Sequence, residues 1–249
     1  MIKVSFKKSL SVGGFFKVKH LKKVGSTNDY LKSLPQKALR EGFCVVADEQ
    51  IGGKGRLGRK FFSPKGGLYF SILLKPASQE QLDKLTLIAA VATVDAVKSV
   101  CGDDASIKWV NDIYIGGKKC SGILAETTEN LKGFAIVGIG VNIGDQTLDE
   151  SIKDIATGVT KKDKNTRWEL LATILANFKK LYVNFDAKSV VEHYKNRCST
   201  IGKTVRVFEN DGREYTAQAV DIDQNGHLVV RIENQQPKAL YSGEVKIFC

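Results

Sequence analysis

Apolar positions recur along this chain with two periods, and the switches between them mark its elements. Phe43-Cys44-Val45-Val46-Ala47 is a short continuous apolar run, which predicts a buried strand. Leu68-Tyr69-Phe70-Ser71-Ile72-Leu73-Leu74 predicts a second one, directly after Gly66-Gly67. The period then lengthens. Leu82, Leu85, Ile88, Ala89, Ala92 and Val97 recur at helical spacing through about Val100, behind Ser78 and Gln81 at the separation of a capping box. Three strand patterns follow: Ile107 to Val110, Ile113 to Ile115 and Cys120 to Glu126, with Gly116-Gly117 joining the last two as a hairpin. Phe134 to Val141 reads as one more strand. Thr166 and Glu169 repeat the capping-box spacing before a helix through Leu170, Leu171, Ile174, Leu175, Phe178 and Leu181, and a short helix is expected around residues 187–197. Near the start, Ser26-Thr27-Asn28-Asp29 can cap a helix through Tyr30, Leu31 and Leu34 that Pro35 stops.

From about Ile201 the pattern shortens. Thr204 to Phe208, Thr216 to Val220, Leu228 to Ile232 and Glu244 to Phe248 read as brief strands, with turn signals at Asn210-Asp211-Gly212 and Asn225-Gly226. Four or five strands in so short a stretch suggest a small barrel-like β unit. The expectation is an α+β fold, a mixed sheet packed with helices over residues 1–198, followed by a small all-β domain over residues 199–249.

Composition narrows the class. With 249 residues, 43% hydrophobic and 26% charged, the chain can bury a core, and no apolar run approaches membrane-spanning length. The opening Met1-Ile2-Lys3-Val4-Ser5-Phe6 does not read as a secretory signal. Five cysteines without a C-x-x-C pair argue against a disulfide framework or zinc site, so no metal-binding residues are expected and a reduced cytoplasmic setting fits. The net charge of +11 is concentrated at the front, where residues 1–60 hold 14 Lys and Arg against 4 Asp and Glu. Most of those lysines read as a solvated surface, but Lys54, Arg56, Arg59 and Lys60 are interleaved with glycines.

That run, Gln50-Ile51-Gly52-Gly53-Lys54-Gly55-Arg56-Leu57-Gly58-Arg59-Lys60, contains Gly53-x-Gly55-x-x-Gly58. A dinucleotide fingerprint must open a helix directly after a strand. Here Phe61-Phe62-Ser63-Pro64 follows, then a strand. What remains is a glycine-rich loop of cations suited to carboxylate or phosphate oxygens. A second segment, Lys108-Trp109-Val110-Asn111-Asp112, leads into Lys118 and Lys119 at the head of an apolar strand. Alternation puts these two lysines on opposite faces, and spacing does not choose which one faces inward. A third, Gly138-Ile139-Gly140-Val141-Asn142, brings glycines into a strand, as for a close-lying ligand or a tight turn. From the residues alone the protein binds a phosphorylated or carboxylated small molecule.

Taken in order, these segments resemble the biotin protein ligases. The matching blocks are Gly25-Ser26-Thr27-Asn28-Asp29; Gln50 through Arg59 with Ser63-Pro64; Lys108-Trp109-Val110-Asn111-Asp112 with Lys119-x-Ser121-Gly122-Ile123-Leu124-x-Glu126; and Gly138-x-Gly140-x-Asn142. Ser242-Gly243-Glu244-Val245 is a weaker fifth. The resemblance implies a class II synthetase-like catalytic domain with an SH3-like C-terminal domain. It implies condensation of biotin with ATP, escorted by Mg²⁺, to biotinyl-5′-AMP, then transfer to one lysine of a biotin carboxyl carrier domain of a carboxylase such as acetyl-CoA carboxylase.

The resemblance also assigns residues. Ser26, Thr27, Asn28 and Gln50 would line the biotin pocket. Gly53, Lys54, Gly55 and Arg56 would belong to the loop over the biotin tail and adenylate, with Arg59 facing phosphate. Lys119 would contact both the biotin carboxyl and the α-phosphate, so Lys119, Arg56 and Lys54 are the catalytic candidates. Phe61 stands where the family often has tryptophan beside adenine, and Asn111, Asp112, Gly122 and Asn142 would lie near the nucleotide. Lys54 replaces the usual arginine, losing its bidentate fork, and Val110 replaces a proline. Only 25 residues precede Ser26, too few for the DNA-binding domain of some members, so no specific DNA binding is expected. A homodimer and a monomer both fit the resemblance. The alternatives are a lipoate or octanoate ligase of related fold, a biotin-binding protein without catalysis, and a nucleic-acid binder, for which no aromatic-interleaved motif speaks.

Overall fold

The computed structural model describes residues 10–248 apart from 13, 145–147, 149, 162, 164, 210, 211, 242 and 243. The reading of residues 1–6, the Asn210-Asp211 turn signal, Ser242-Gly243 and Cys249 lie outside the described residues.

Eight strands form the first sheet: β1 (Leu10–Val12), β2 (Phe16–Leu21), β3 (Phe43–Ala47), β4 (Leu68–Leu74), β5 (Ala105–Lys108), β6 (Asp112–Ile115), β7 (Lys118–Thr127) and β8 (Ala135–Val141). Their spatial order is β1-β2-β3-β4-β8-β7-β6-β5. β2 and β3 run parallel and the other neighbours antiparallel. A parallel step needs a crossover, and residues 22–42 supply it, carrying the short helix α1 (Thr27–Lys32).

Alternation along β4 and β8 sorts the two faces. Leu68, Phe70, Ile72 and Leu74, with Ala135, Val137, Ile139 and Val141, turn to the main core. That core lies under α3 (Leu85–Cys101) and α4 (Thr166–Val183), which pack on each other. Val45, Leu73 and Ile136 turn the other way, to a smaller core closed by Leu31 of α1. β2 was not among the expected strands, although Phe16 and Val18 alternate with Lys17 and Lys19 in period two and are buried.

Two helix readings need correcting: the single helix expected from Ser78 to about Val100 is two, and Thr166 does not cap α4. Ser26 caps α1 through Asp29 N–H at 3.4 Å, and Ser78 caps α2 (Gln79–Asp83) through Gln81 N–H at 3.1 Å. α3 then begins beyond Lys84 and ends at Gly102, whose φ of 76° only glycine adopts readily. α4 starts at Thr166, but Thr166 is not its cap. Asp163 Oδ1 accepts from the N–H groups of Asn165 and Thr166 at 2.8 and 2.9 Å. These backbone donors, ahead of burial, hold the Asp163 carboxyl below its ordinary range. α5 (Ala187–Lys195) is capped by Asp186.

The second sheet is antiparallel throughout, in the order β12-β11-β10-β9-β13. Its strands are β9 (Thr204–Phe208), β10 (Glu214–Ile222), β11 (Leu228–Arg231), β12 (Lys238–Leu240) and β13 (Glu244–Ile247). Its inner residues, Val205, Val207, Ala219 and Val230 among them, are continuous with the main core. The Trp109 indole N–H donates to the Gly226 carbonyl at 3.1 Å, and the Tyr194 hydroxyl donates to the Val110 carbonyl at 2.9 Å. These bonds tie the segment between β5 and β6 to the second sheet and to α5. The Trp109–Val110 peptide is cis.

Candidate active site

A cavity opens on the sheet face opposite α3, where three glycines leave the backbone bare. The registers place Tyr69, Gly140, Gly122 and Asp112 in one row across β4, β8, β7 and β6, and Ser71, Gly138 and Leu124 in another. Neighbouring groups lie directly on this floor. A Cβ on Gly140 would run into the Phe61 ring and one on Gly138 into the Asn28 amide. One on Gly122 would sit 3.1 Å from Phe61 and 3.2 Å from Lys119 Nζ. Glycine is needed here for close approach.

A β-bulge decides which lysine faces the floor. Ile113 pairs with Ser121 but Tyr114 pairs with Lys119, so β7 carries one extra residue at Cys120. Parity flips there. Cys120 and Ile123, three apart, both turn to the helix side, and Lys119 joins Gly122 on the cavity side. Lys118 instead donates to the Lys153 carbonyl at the surface, at 2.8 Å. Lys119 Nζ lies 2.6 Å from Asp112 Oδ1 and 5.8 Å from the centre of the Phe61 ring. Asp112 is the carboxylate on the cavity wall among the described residues. Cys120 offers no thiolate beside this ammonium, because burial pushes its pKa far up.

The opposite wall is a chain of polar groups on and beneath α1. Thr27 N–H and Oγ1 both donate to Gln50 Oε1, at 2.8 and 3.0 Å, and Gln50 Nε2 donates to Ser63 Oγ at 3.0 Å. The fully buried Ser71 hydroxyl reaches Thr27 Oγ1 at 2.6 Å and Asn28 Oδ1 at 2.5 Å. Asn28 Nδ2 donates to Glu126 Oε2 at 2.7 Å, and Lys32 Nζ holds Glu126 Oε1 at 2.7 Å. Ser26, Thr27, Asn28 and Ser63 are themselves buried.

The glycine-rich loop arches over the mouth. It folds back on itself through Gly55 N–H to the Arg59 carbonyl at 2.7 Å and Phe61 N–H to the Gly53 carbonyl at 2.9 Å. Its tip holds Leu57 and Gly58 in the left-handed region, φ 55° and 73°. Arg56 Nη1 donates to Asn111 Oδ1 at 3.3 Å, across the mouth. The Lys54 ammonium sits 2.7 Å from Asp29 Oδ2, and that hydrogen bond raises its pKa. Lys54 is thus engaged with α1 while Arg56, Arg59 and Lys60 share the wall with Lys119.

All the candidate residues but two meet at this cavity: Ser26, Thr27, Asn28 and Gln50 on one side, Lys54, Gly55, Arg56, Arg59 and Phe61 above, Asn111, Asp112, Lys119 and Gly122 opposite. Gly53 lies behind the wall, where a Cβ would meet Ser63 Oγ at 2.6 Å and Gln50 Nε2 at 3.2 Å. Asn142 is turned away. Its Nδ2 donates to the Thr157 carbonyl at 3.2 Å and its carbonyl accepts from Val159 N–H at 2.9 Å, which fastens that segment to the end of β8. Lys108, Trp109 and Val245 also line the cavity, and Ser71 and Glu126 support it from behind. None of these five was a candidate; Lys108, Trp109, Glu126 and Val245 stand in the motif blocks without having been given a role, and Ser71 comes here only through sheet register. Among the described residues no group of three His, Cys, Asp or Glu side chains is placed to hold a metal ion.

Comparison with known proteins places these features. The model described as "Biotin/lipoate A/B protein ligase family" matches residues 21–143, and "Biotin protein ligase C terminal domain" matches residues 200–247. The bifunctional ligase/repressor BirA of Bacillus subtilis is 34% identical over 238 residues, 90% of this chain and 72% of that protein. This chain belongs to the biotin protein ligase family. The biotin–[acetyl-CoA-carboxylase] ligase of Mycobacterium tuberculosis is 28% identical over 221 residues, 84% of this chain and 80% of that ligase. The solved biotin protein ligase from Aquifex aeolicus in complex with biotin and ATP aligns with a TM-score of 0.77 and 31% identity, over 93% of this chain and 98% of the other. The cavity of this family member falls inside the first matched segment, except for Val245, which the second contributes.

Proposed function

We propose that this chain attaches biotin to a lysine of a biotin carboxyl carrier domain, through biotinyl-5′-AMP. The observation that carries the reading is Lys119 on a bare glycine floor, sharing its cavity with Arg56 and Arg59 and lying across from a buried polar pocket. Adenylation must bring a carboxylate against a polyphosphate. Two unit charges 4 Å apart repel by about 4 kcal/mol at an effective dielectric of 20. An ammonium between them turns that repulsion into attraction, and fixed cations do so without reorganising. Lys119 is held on this face by Asp112 before substrate arrives.

In the first step a biotin carboxylate oxygen attacks the α-phosphorus and pyrophosphate leaves with the electron pair of the broken P–O bond. In the second, the neutral ε-amine of the carrier lysine attacks the acyl carbon of the mixed anhydride and AMP leaves. Ser26, Thr27, Asn28 and Gln50 take the ureido head, Lys119 the carboxyl and α-phosphate, and Arg56, Arg59, Lys54 and Gly55 the loop over the adenylate. Phe61, lying against Gly140 and Gly122, takes adenine, with Asn111 and Asp112 at the nucleotide. Gly53 lets the loop base lie on Gln50. Mg²⁺ enters with the triphosphate as part of that substrate. We take residues 1–198 as the unit that performs both steps and 199–249 as the unit that closes the cavity through Val245. A reducing, cytoplasmic setting suits Cys44, Cys101, Cys120 and Cys198, all unpaired.

ATP–pyrophosphate exchange with biotin, lipoate or octanoate as the acid tests the reading. Exchange with biotin alone is expected. Exchange only with lipoate or octanoate transfers the protein to the sister activity, and none at all, in a folded sample that binds biotin, refutes catalysis.

A further inference from the structure

The hairpin of β5 and β6 brings Lys108, Trp109, Asn111 and Asp112 to the cavity wall, yet among the described residues β5 ends its sheet, with no strand on its outer side. A segment behind α5 takes that place. Ile107 N–H donates to the Arg197 carbonyl at 2.8 Å and Ser199 N–H to the Ile107 carbonyl at 2.9 Å, so residues 197–199 run parallel along β5. The backbone of the hairpin loop is met by side chains from the same stretch of chain. Thr200 Oγ1 accepts from Trp109 N–H at 3.0 Å, and the Tyr194 hydroxyl donates to the Val110 carbonyl at 2.9 Å. Both side chains are fully buried and neither lines the cavity, so they hold the loop from behind. On the cavity side the same loop engages two cations. Asp112 Oδ1 lies 2.6 Å from Lys119 Nζ, and Asn111 Oδ1 accepts from Arg56 Nη1 at 3.3 Å.

We infer that Tyr194 and Thr200 are positioning residues: by holding the backbone of Val110 and Trp109 they fix Asn111 and Asp112, and through these Arg56 and Lys119, at the cavity. The inference rests on the proposed function and deepens it. A buried backbone group that loses its partner must find another, so without these hydroxyls the loop shifts or opens. Misplacing a reacting group by about 1 Å costs on the order of 10²-fold in rate, and a displacement passed on through a second side chain should cost about 10-fold. Thr27, Asn28 and Gln50 are joined to one another and to Ser71 of β4, not to this loop, so biotin binding should not follow the change.

The test compares wild type with Tyr194→Phe, Thr200→Val and Thr200→Ser in two measurements: biotin-dependent pyrophosphate exchange per folded molecule, and backbone amide hydrogen exchange read by mass spectrometry. Tyr182→Phe is the control, because it also removes a hydroxyl bond from a buried tyrosine, the 2.7 Å bond to Glu41, and neither of those residues lines the cavity. Tyr194→Phe and Thr200→Val should lower kcat about 10-fold and leave the KM for biotin within about twofold. Thr200→Ser, which keeps the acceptor oxygen, and Tyr182→Phe should both stay within about twofold in kcat. Amide exchange over residues 107–124 should quicken in Tyr194→Phe and Thr200→Val and not in the control. In a Lys119→Ala background Tyr194→Phe should slow the remaining rate by less than about twofold, since both act through one group. The inference is overturned if folded Tyr194→Phe and Thr200→Val keep the wild-type kcat, if Tyr182→Phe loses as much, or if Thr200→Ser fails like Thr200→Val. A wild type that exchanges no pyrophosphate with any acid refutes the ligase reading instead, and amide exchange then decides alone: quickening confined to the two variants supports the inference, and unchanged exchange overturns it.

Discussion

Gly138→Ala is the smallest change that tests how the floor and the pocket wall depend on each other. The backbone at Gly138 is not in the left-handed region, so the objection to a methyl group is steric alone. Its Cβ would stand 2.9 Å from Asn28 Cγ and 3.1 Å from Nδ2. Non-bonded carbons settle at about 3.5–4.0 Å, so the Asn28 amide must move by about 1 Å. It has nowhere to go without loosening the 2.7 Å bond to Glu126 or the 2.5 Å bond from Ser71. A hydrogen bond to a charged group is worth about 1.5–3 kcal/mol, and on the proposed role of Asn28 in the biotin pocket that is the scale of binding energy at stake. The KM for biotin in pyrophosphate exchange should rise roughly 10- to 100-fold. The KM for ATP should change by less than about threefold, because Asn28 lies on the pocket side. In an Asn28→Ala background the same substitution should cost almost nothing more, since the two groups act through one contact. A biotin KM within about threefold of wild type, in a protein with a native melting curve, would refute the reasoning.

The other predictions concern charge and packing. Lys119→Ala should lower the rate of biotinyl-adenylate formation by roughly 10²-fold or more in single-turnover assays; a near-wild-type rate would remove Lys119 from the chemistry. Arg56→Gly, which removes the 3.3 Å bond to Asn111 across the mouth, should release the adenylate to solvent, read by mass spectrometry as biotin on bystander lysines of an added carrier-free protein. Trp109→Phe leaves the Gly226 carbonyl without its donor and should cost about 1–3 kcal/mol, a melting shift of roughly 2–10 °C in a chain of this size. Burial would raise the Asp48 carboxyl, but its hydrogen bonds from Arg167 and His20 outweigh that and hold it below its usual 3.8. Its stabilising contribution is therefore complete above the unfolded value and lost as pH falls through the lower folded one. The melting-temperature gap between wild type and Asp48→Asn should close as pH falls below 3.8; a gap that widens below that pH would contradict the sign.

Period and punctuation in the sequence located most of the elements, because local burial patterns and caps are set within a few residues. They named Ser26-Thr27-Asn28-Asp29 as the capping segment of α1, Gly116-Gly117 as a hairpin and Gln50 through Arg59 as a cationic loop, and the order of the short motifs carried the family. Neither the residue that caps α4 nor the place of β2 followed from local spacing. Asp163 displaces the expected Thr166 because its carboxylate reaches two backbone donors at once. β2 owes its place to parallel pairing with β3, across a crossover that no period marks.

The composition and motifs by themselves determined what kinds of groups this protein carries: arginines and lysines on glycines, with a run of small polar side chains at a helix start. Which of them meet was decided only in three dimensions. The bulge at Cys120 shifts β7 by one residue against β6, and that single slip chooses Lys119 over Lys118. Registers across β4, β8 and β7 lay Gly138, Gly140 and Gly122 side by side, and the resulting bare floor admits Asn28 and Phe61 from segments far away in the chain. Side-chain parity along a strand is a local property, but a bulge and a register are agreements between strands, so no reading of one strand alone contains them.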